Sequence, residues 1–191
     1  MNATLDIPWH RYALIAELAK RLHGVSPQFG KTALQKLVYF LQELYLVDCG
    51  YDFELYSYGP FTSQLLGDLD LVEHFGCVTI EPVYSKTGGY VIRPADKADT
   101  LQGKAAQFLN DEKTILALDS LVTEFGSYTA KDLELRATIV YVEREMHRKG
   151  KSSTMNEVSR LVGQIKPKFT NQEIVRAVEE LTNKSHIQLM G

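Results

Sequence analysis

The run "KTALQKLVYFLQELYLV", residues 31–47, limits more than any other segment how this chain can fold. At helical spacing Leu34, Leu37, Val38, Leu41, Leu44 and Tyr45 form one broad stripe, and Tyr39 and Phe40 widen it. A helix apolar over so much of its circumference needs cover on several sides, so it belongs at the centre of a core. Gln35 and Lys36 sit inside it near its start, and Thr32 with Gln35 has the spacing of a capping box. The rest of the chain can supply the cover. Its 191 residues are 45% hydrophobic and 24% charged, enough for one large or two small domains without disulfide staples.

Other elements fall around that helix. Residues 9–23 place Tyr12, Ile15, Leu18, Ala19 and Leu22 on one helical face, which Gly24 and Pro27 terminate. "YDFELYSY", 51–58, alternates as a short strand and meets Gly59-Pro60. Gly59 accepts whatever backbone angle the junction needs, and Pro60 holds the residue before it extended. An apolar helix follows through Leu65, Leu66, Leu69, Val72 and Phe75, with Thr62 as N-cap and Phe61 and Leu66 at staple spacing. "CVTIEP" and "GYVIRP" read as two strands, with "TGGY" at 87–90 as their turn. Helix, helix, strand, helix, hairpin is the order of a winged helix, assigned to residues 1–94. The polar stretch "RPADKADT" leads into a helical unit at 95–191.

In that second unit helices are predicted over about 111–125, 130–148, 155–165 and 171–183. Thr129 is an N-cap, and Thr154 with Glu157 and Thr170 with Glu173 have capping-box spacing. The last two helices form a helix-turn-helix-like pair. The expected fold is mainly α, with a small β-hairpin or three-strand element. A winged-helix-like N-terminal unit and a helical C-terminal unit share a core.

Composition excludes more chemistry than it offers. Net charge is −3, so nothing draws the whole chain to nucleic acid or to an anionic membrane. No apolar run approaches membrane-spanning length, and the opening "MNATLDIPWHRYALIAELAK" lacks the pattern of a signal peptide. A cytoplasmic protein is expected, with Cys49 and Cys77 as buried free thiols. The histidines at 10, 23, 74, 147 and 186 form no metal-ligand array, so neither a metal nor another cofactor is expected. No P-loop, nucleophile elbow or dinucleotide glycine pattern is present. Asp68, Asp70 and Glu73 read as a solvated helix face, and Cys49 with His74 lacks a third group. No catalytic residue is assigned.

Two sites remain. Tyr39, Tyr56, Tyr58 and Phe61 make a candidate protein-interaction groove, because tyrosine combines apolar area with a polar tip. Gln35, Lys36, Tyr58, Gly59 and Pro60 make a candidate structural lock in which Tyr58 packs on the central helix and bonds to Gln35 or Lys36. For nucleic acid, residues 51–100 carry three basic against eight acidic side chains, and the helix at 61–75 has no Lys or Arg. That helix would be repelled by phosphate. The contacts for a DNA-binding alternative are therefore Lys166, Lys168, Asn171, Gln172 and Arg176, near a basic turn of Arg144, Arg148, Lys149 and Lys151.

Four segments, "KTALQKLVYFLQ", "YSYGPFTSQLLGDLDLVE", "LELRATIVYV" and "IKPKFTNQEIVRAVEEL", together resemble the YwgA-like proteins, a prokaryotic family of uncharacterised function. The resemblance spans about 10–185. More loosely, residues 30–75 are similar to the Panacea domain of SocA-like antitoxins, where a "KLQKL-x-YF"-type helix precedes a "YGP" turn. The matching positions are Leu34, Gln35, Lys36, Leu37, Tyr39 and Phe40, then Tyr58, Gly59 and Pro60. That resemblance implies toxin neutralisation or delivery of partners to proteases, both roles of protein binding. The long C-terminal helical half departs from it. The leading expectation is a non-catalytic regulatory or adaptor protein whose partner is another protein. A transcription regulator using the C-terminal pair is the alternative, a small-molecule enzyme comes third, and a homo-oligomer is left open.

Overall fold

The computed structural model describes residues 7–84 and 88–190. Helix α1 (Trp9–Leu22) and helix α2 (Lys31–Glu43) come first. In α2 every residue from Ala33 to Leu41 is buried, as its wide apolar stripe requires. The capping box anticipated for Thr32 and Gln35 does not form. Gly30 is the N-cap and bonds through no side chain, and Gln35 turns into the core.

Strands β1 (Glu54–Tyr56) and β2 (Gly59–Phe61) form a tight antiparallel hairpin in which Leu55 faces Pro60. Helix α3 (Ser63–His74) follows, then β3 (Val78–Pro82) and β4 (Tyr90–Pro94), a second antiparallel pair with Ile80 opposite Ile92. The centre of the β3–β4 connection, including the first residue of "TGGY", lies outside the described residues. Strand β1 pairs with β2, not with β3 or β4, so the strands make two separate two-stranded sheets in place of one three-strand element. The strand β2 was not foreseen, because a Gly-Pro-Phe run carries no period.

The polar stretch "RPADKADT" runs into α4 (Ala98–Lys104), whose Ala98 and Leu101 are buried where it packs on α1. Then come α5 (Ala106–Leu109), α6 (Glu112–Phe125), α7 (Ala130–Arg148), α8 (Met155–Ile165) and α9 (Asn171–Asn183). Their starts are set by side-chain caps. Thr129 and Thr170 form reciprocal capping boxes with Asp132 and Glu173, Thr154 accepts from the Glu157 N–H, and Asp111 caps α6.

One apolar core runs from Tyr12 in α1 to Ile187 beyond α9. Helix α2 packs on α6, α7 and β2, and α7 packs in turn on α8 and α9. The Phe40 and Phe125 rings, 4.5 Å apart, join the two halves of the chain at the centre. Burial of each such side chain contributes roughly 1.5–3 kcal/mol. The protein is mainly helical with two small antiparallel sheets.

Candidate functional site

Two polar side chains inside the apolar helix α2 must find partners, because an unpaired buried amide or amine is costly. Both find the same piece of backbone. The Gln35 amide donates to Thr62 O at 2.8 Å and accepts from the Thr62 N–H at 3.0 Å. Lys36 Nζ donates to Pro60 O at 2.6 Å. The junction between β2 and α3 is thereby fixed to the central helix. Thr62 stands at the N-cap of α3 as anticipated, but its side chain makes no capping bond, and Gln35 holds its backbone instead.

Gly59 explains the shape of the turn. It has φ 86°, and a Cβ there would lie 3.1 Å from Thr138 Oγ1 and 3.3 Å from Lys36 Cε. Both the left-handed angle and the close approach to α7 favour glycine. Beneath the hairpin lie Lys36, Glu134 and Lys166, each at most 3% exposed. Glu134 Oε1 pairs with Lys166 at 3.0 Å and Oε2 accepts from Lys168 at 2.7 Å. Oε1 has no partner other than this ion pair with Lys166. Lys166 Nζ also donates to Ser57 O and reaches Tyr56 O at 3.5 Å, which pins the β1–β2 turn to the α8–α9 connection. Burial pulls the Lys36 amine down to about 7, opposed by the Glu134 carboxylate and helped by the Lys166 ammonium.

Outside this buried network lies a small apolar groove of about 200 Å³ between the start of α2 and the hairpin. Tyr56, Tyr58, Phe61 and Leu66 line it, with Lys31 and Lys36 on the helix side. The Tyr56 and Phe61 rings are 5.7 Å apart, and Lys168 Nζ lies 5.3 Å from the centre of the Tyr58 ring. Tyr56 is 67% and Tyr58 62% exposed.

The structure redistributes the predicted residues between lock and groove. Gln35, Lys36, Gly59 and Pro60 form the lock. Tyr58 does not, because its ring points outward and its cation partner is Lys168. Tyr56, Tyr58 and Phe61 form the groove. Tyr39 does not, because it is buried with its ring 5.3 Å from Phe53 and beside Tyr141, where burial pushes its hydroxyl pKa up. Among the nucleic-acid candidates, Lys166 is buried in its pair with Glu134 and cannot meet a phosphate. Lys168 is tied to the same carboxylate, while Asn171, Gln172 and Arg176 are exposed. In the basic turn, Arg148 and Lys149 both pair with Glu145, and Arg144 with the buried Glu143.

Asp68 also departs from its expected place on a solvated face. It is 5% exposed, pairs with Arg11 at 2.9 Å and accepts from the Tyr51 hydroxyl at 2.8 Å. Asp70 and Glu73 are exposed, and Glu73 accepts from the Ile80 N–H at 2.8 Å. Cys49 and Cys77 are buried free thiols, and burial pushes the Cys49 thiol up to about 12, where it is unreactive. Glu134 and Lys166 escaped the sequence reading as a pair. The available signal was a charge between Leu133 and Leu135 in an otherwise apolar helix face, which requires a buried partner without identifying it.

No family model matches the chain, and no curated protein matches it. Among the described residues no cluster of three or more His, Cys, Asp or Glu could hold a metal ion. Among those residues, too, no helix is long and apolar enough to cross a membrane.

Proposed function

We propose that this chain is a non-catalytic regulatory or adaptor protein of the cytoplasm that works by binding another protein through the Tyr56–Tyr58–Phe61 groove. The observation that carries this reading is the contrast between the exposed rings and the backbone that bears them, which buried side chains hold by hydrogen bonds. Two tyrosines more than three-fifths exposed stand on a turn whose carbonyls are bound by buried lysines. Rings presented on a rigid support lose little conformational entropy on binding, and tyrosine is enriched among the residues that dominate interfaces. The looser resemblance of residues 30–75 to the Panacea domain supports an antitoxin-like or adaptor-like role. The reactive-looking groups are otherwise engaged: the Lys36 amine is hydrogen-bonded to Pro60 O and buried, and Cys49 is held as a thiol.

The test is a selection of random displayed peptides against the full chain, followed by counter-screening on the Tyr56→Ala/Tyr58→Ala variant. Peptides that bind the wild type are expected to lose roughly tenfold or more in affinity on the variant. Binding that never depends on these tyrosines would refute the groove as an interaction site.

A further inference from the structure

The groove does not end at the hairpin. Lys31 and Thr32 also line a second, larger cavity of about 530 Å³, bounded by Tyr90 on β4 and by Thr129 and Lys131 at the start of α7. The two spaces therefore adjoin the same residues at the start of α2. Their charge is one-sided. Lys31 and Lys131 line them, Lys36 being buried against Pro60 O, and no aspartate or glutamate does among the described residues. This occurs in a chain with 24 acidic and 21 basic side chains. Lys168, paired with Glu134 at 2.7 Å, stands at the Tyr58 rim.

We infer that the groove takes a short extended peptide segment of a partner protein, in which an aromatic or leucine side chain is flanked by carboxylates. This rests on the protein-binding reading above and names its substrate. The apolar anchor enters the small cavity against Tyr56, Tyr58 and Phe61. The carboxylates lie over the larger cavity beside Lys31 and Lys131. Lys31 has no carboxylate partner among the described residues; its amine sits 4.8 Å from the centre of the Tyr90 ring. Lys131 is bound to Glu173 at 3.0 Å, with both side chains at least two-fifths exposed. An exposed pair of that kind is weak, so a partner's carboxylate replaces Glu173 at little cost.

Two other occupants fit less well. A second copy of this chain meeting the first through the same face would set lysine against lysine. Single-stranded nucleic acid needs open ring faces for its bases to stack on. Here Lys168 lies over Tyr58, Lys31 over Tyr90, and Phe61 stands beside Tyr56.

The peptides recovered by the selection described above decide the matter. Those that depend on Tyr56 and Tyr58 are expected to carry net negative charge next to an aromatic or leucine residue. Made synthetically, such a peptide is expected to bind about tenfold tighter than its counterpart with every carboxylate converted to an amide. That gap is expected to close in high salt. The Lys31→Gln/Lys131→Gln variant is expected to remove the gap between the acid and amide forms. Tyrosine-dependent peptides that are neutral or basic, or amide and acid forms that bind alike, overturn this inference while the protein-binding reading stands. A selection with no tyrosine-dependent peptide overturns both. Oligo(dT) or oligo(U) binding more tightly than the best peptide in the same buffer overturns the inference in favour of nucleic acid.

Discussion

The two hairpins of this protein are held by different forces. The β1–β2 hairpin has three-residue strands, and a two-stranded ribbon that short is marginal by itself. Its position comes from outside, from Gln35, Lys36 and Lys166, all buried and all bonded to its backbone or to the residue just after it. The β3–β4 hairpin has five-residue strands with a continuous ladder. Its further ties are one buried backbone bond, from the Ile92 N–H to Phe29 O at 2.7 Å, and two outer ones: Gln28 reaches Tyr90 O at 3.3 Å, and Arg93 pairs with Glu81 on the surface. One hairpin is held by buried polar side chains inside the core, the other by its own backbone bonds and the apolar burial of Val78 and Ile92. The first is the one that presents the exposed tyrosines. A fixed platform is bought there with buried lysines, which demand compensation and tolerate little change.

That contrast can be broken most directly at Glu134. Glu134→Ala leaves Lys166 and Lys36 buried without their counter-charge, and a loss of about 3–5 kcal/mol in urea unfolding is expected. A loss near zero would show that the hairpin does not depend on the buried charges. Gly59→Val comes next. It combines a left-handed backbone angle with a close approach to Thr138 and Lys36, so about 1–3 kcal/mol is expected as a lower thermal midpoint. An unchanged midpoint would mean that the turn can shift on α7.

A pH series sharpens the comparison further. The Lys36 amine falls from 10.5 to about 7 on folding, so between those values the unfolded chain binds a proton that the folded chain does not. Stability contributed by this residue therefore rises with pH across that window and is lost as pH falls through 7. Lys36→Met is expected to flatten that part of the stability profile; equal slopes for the two proteins would show that the amine stays charged in the fold. The smallest effect belongs to the other hairpin. Arg93→Ala removes an exposed pair with Glu81, and a change within about 0.5 kcal/mol is expected from the same unfolding measurement. A larger loss would erase the distinction between the hairpins.

Much of the frame was legible in the residues. The starts of α8 and α9 followed from Thr154 and Thr170 with acids three residues on, and that of α7 from Thr129 as N-cap, because a cap is satisfied within one turn. The burial of α2 followed from its stripe. The groove was legible in part, since Tyr56, Tyr58 and Phe61 come together across one hairpin, whereas Tyr39, on the same stretch of sequence as the lock, turns into the core. Asp68 misled because it was grouped with the solvated acids Asp70 and Glu73, although Leu65 and Val72 on its own helix face are buried; Arg11 and Tyr51 approach it from elsewhere and satisfy its charge.

The sequence by itself determined the helices other than α4 and α5, the starts of α7, α8 and α9, and that Gln35 and Lys36 stand where apolar side chains would be at home. Such features are settled within about four residues, the reach of a helical hydrogen bond. Tertiary structure alone decided who satisfies those charges. The bond from Gln35 spans 27 residues of chain and that from Lys166 to Ser57 spans 109. A buried charge requires a partner, but only the packing of α2, α7 and the α8–α9 connection around one hairpin brings that partner within reach.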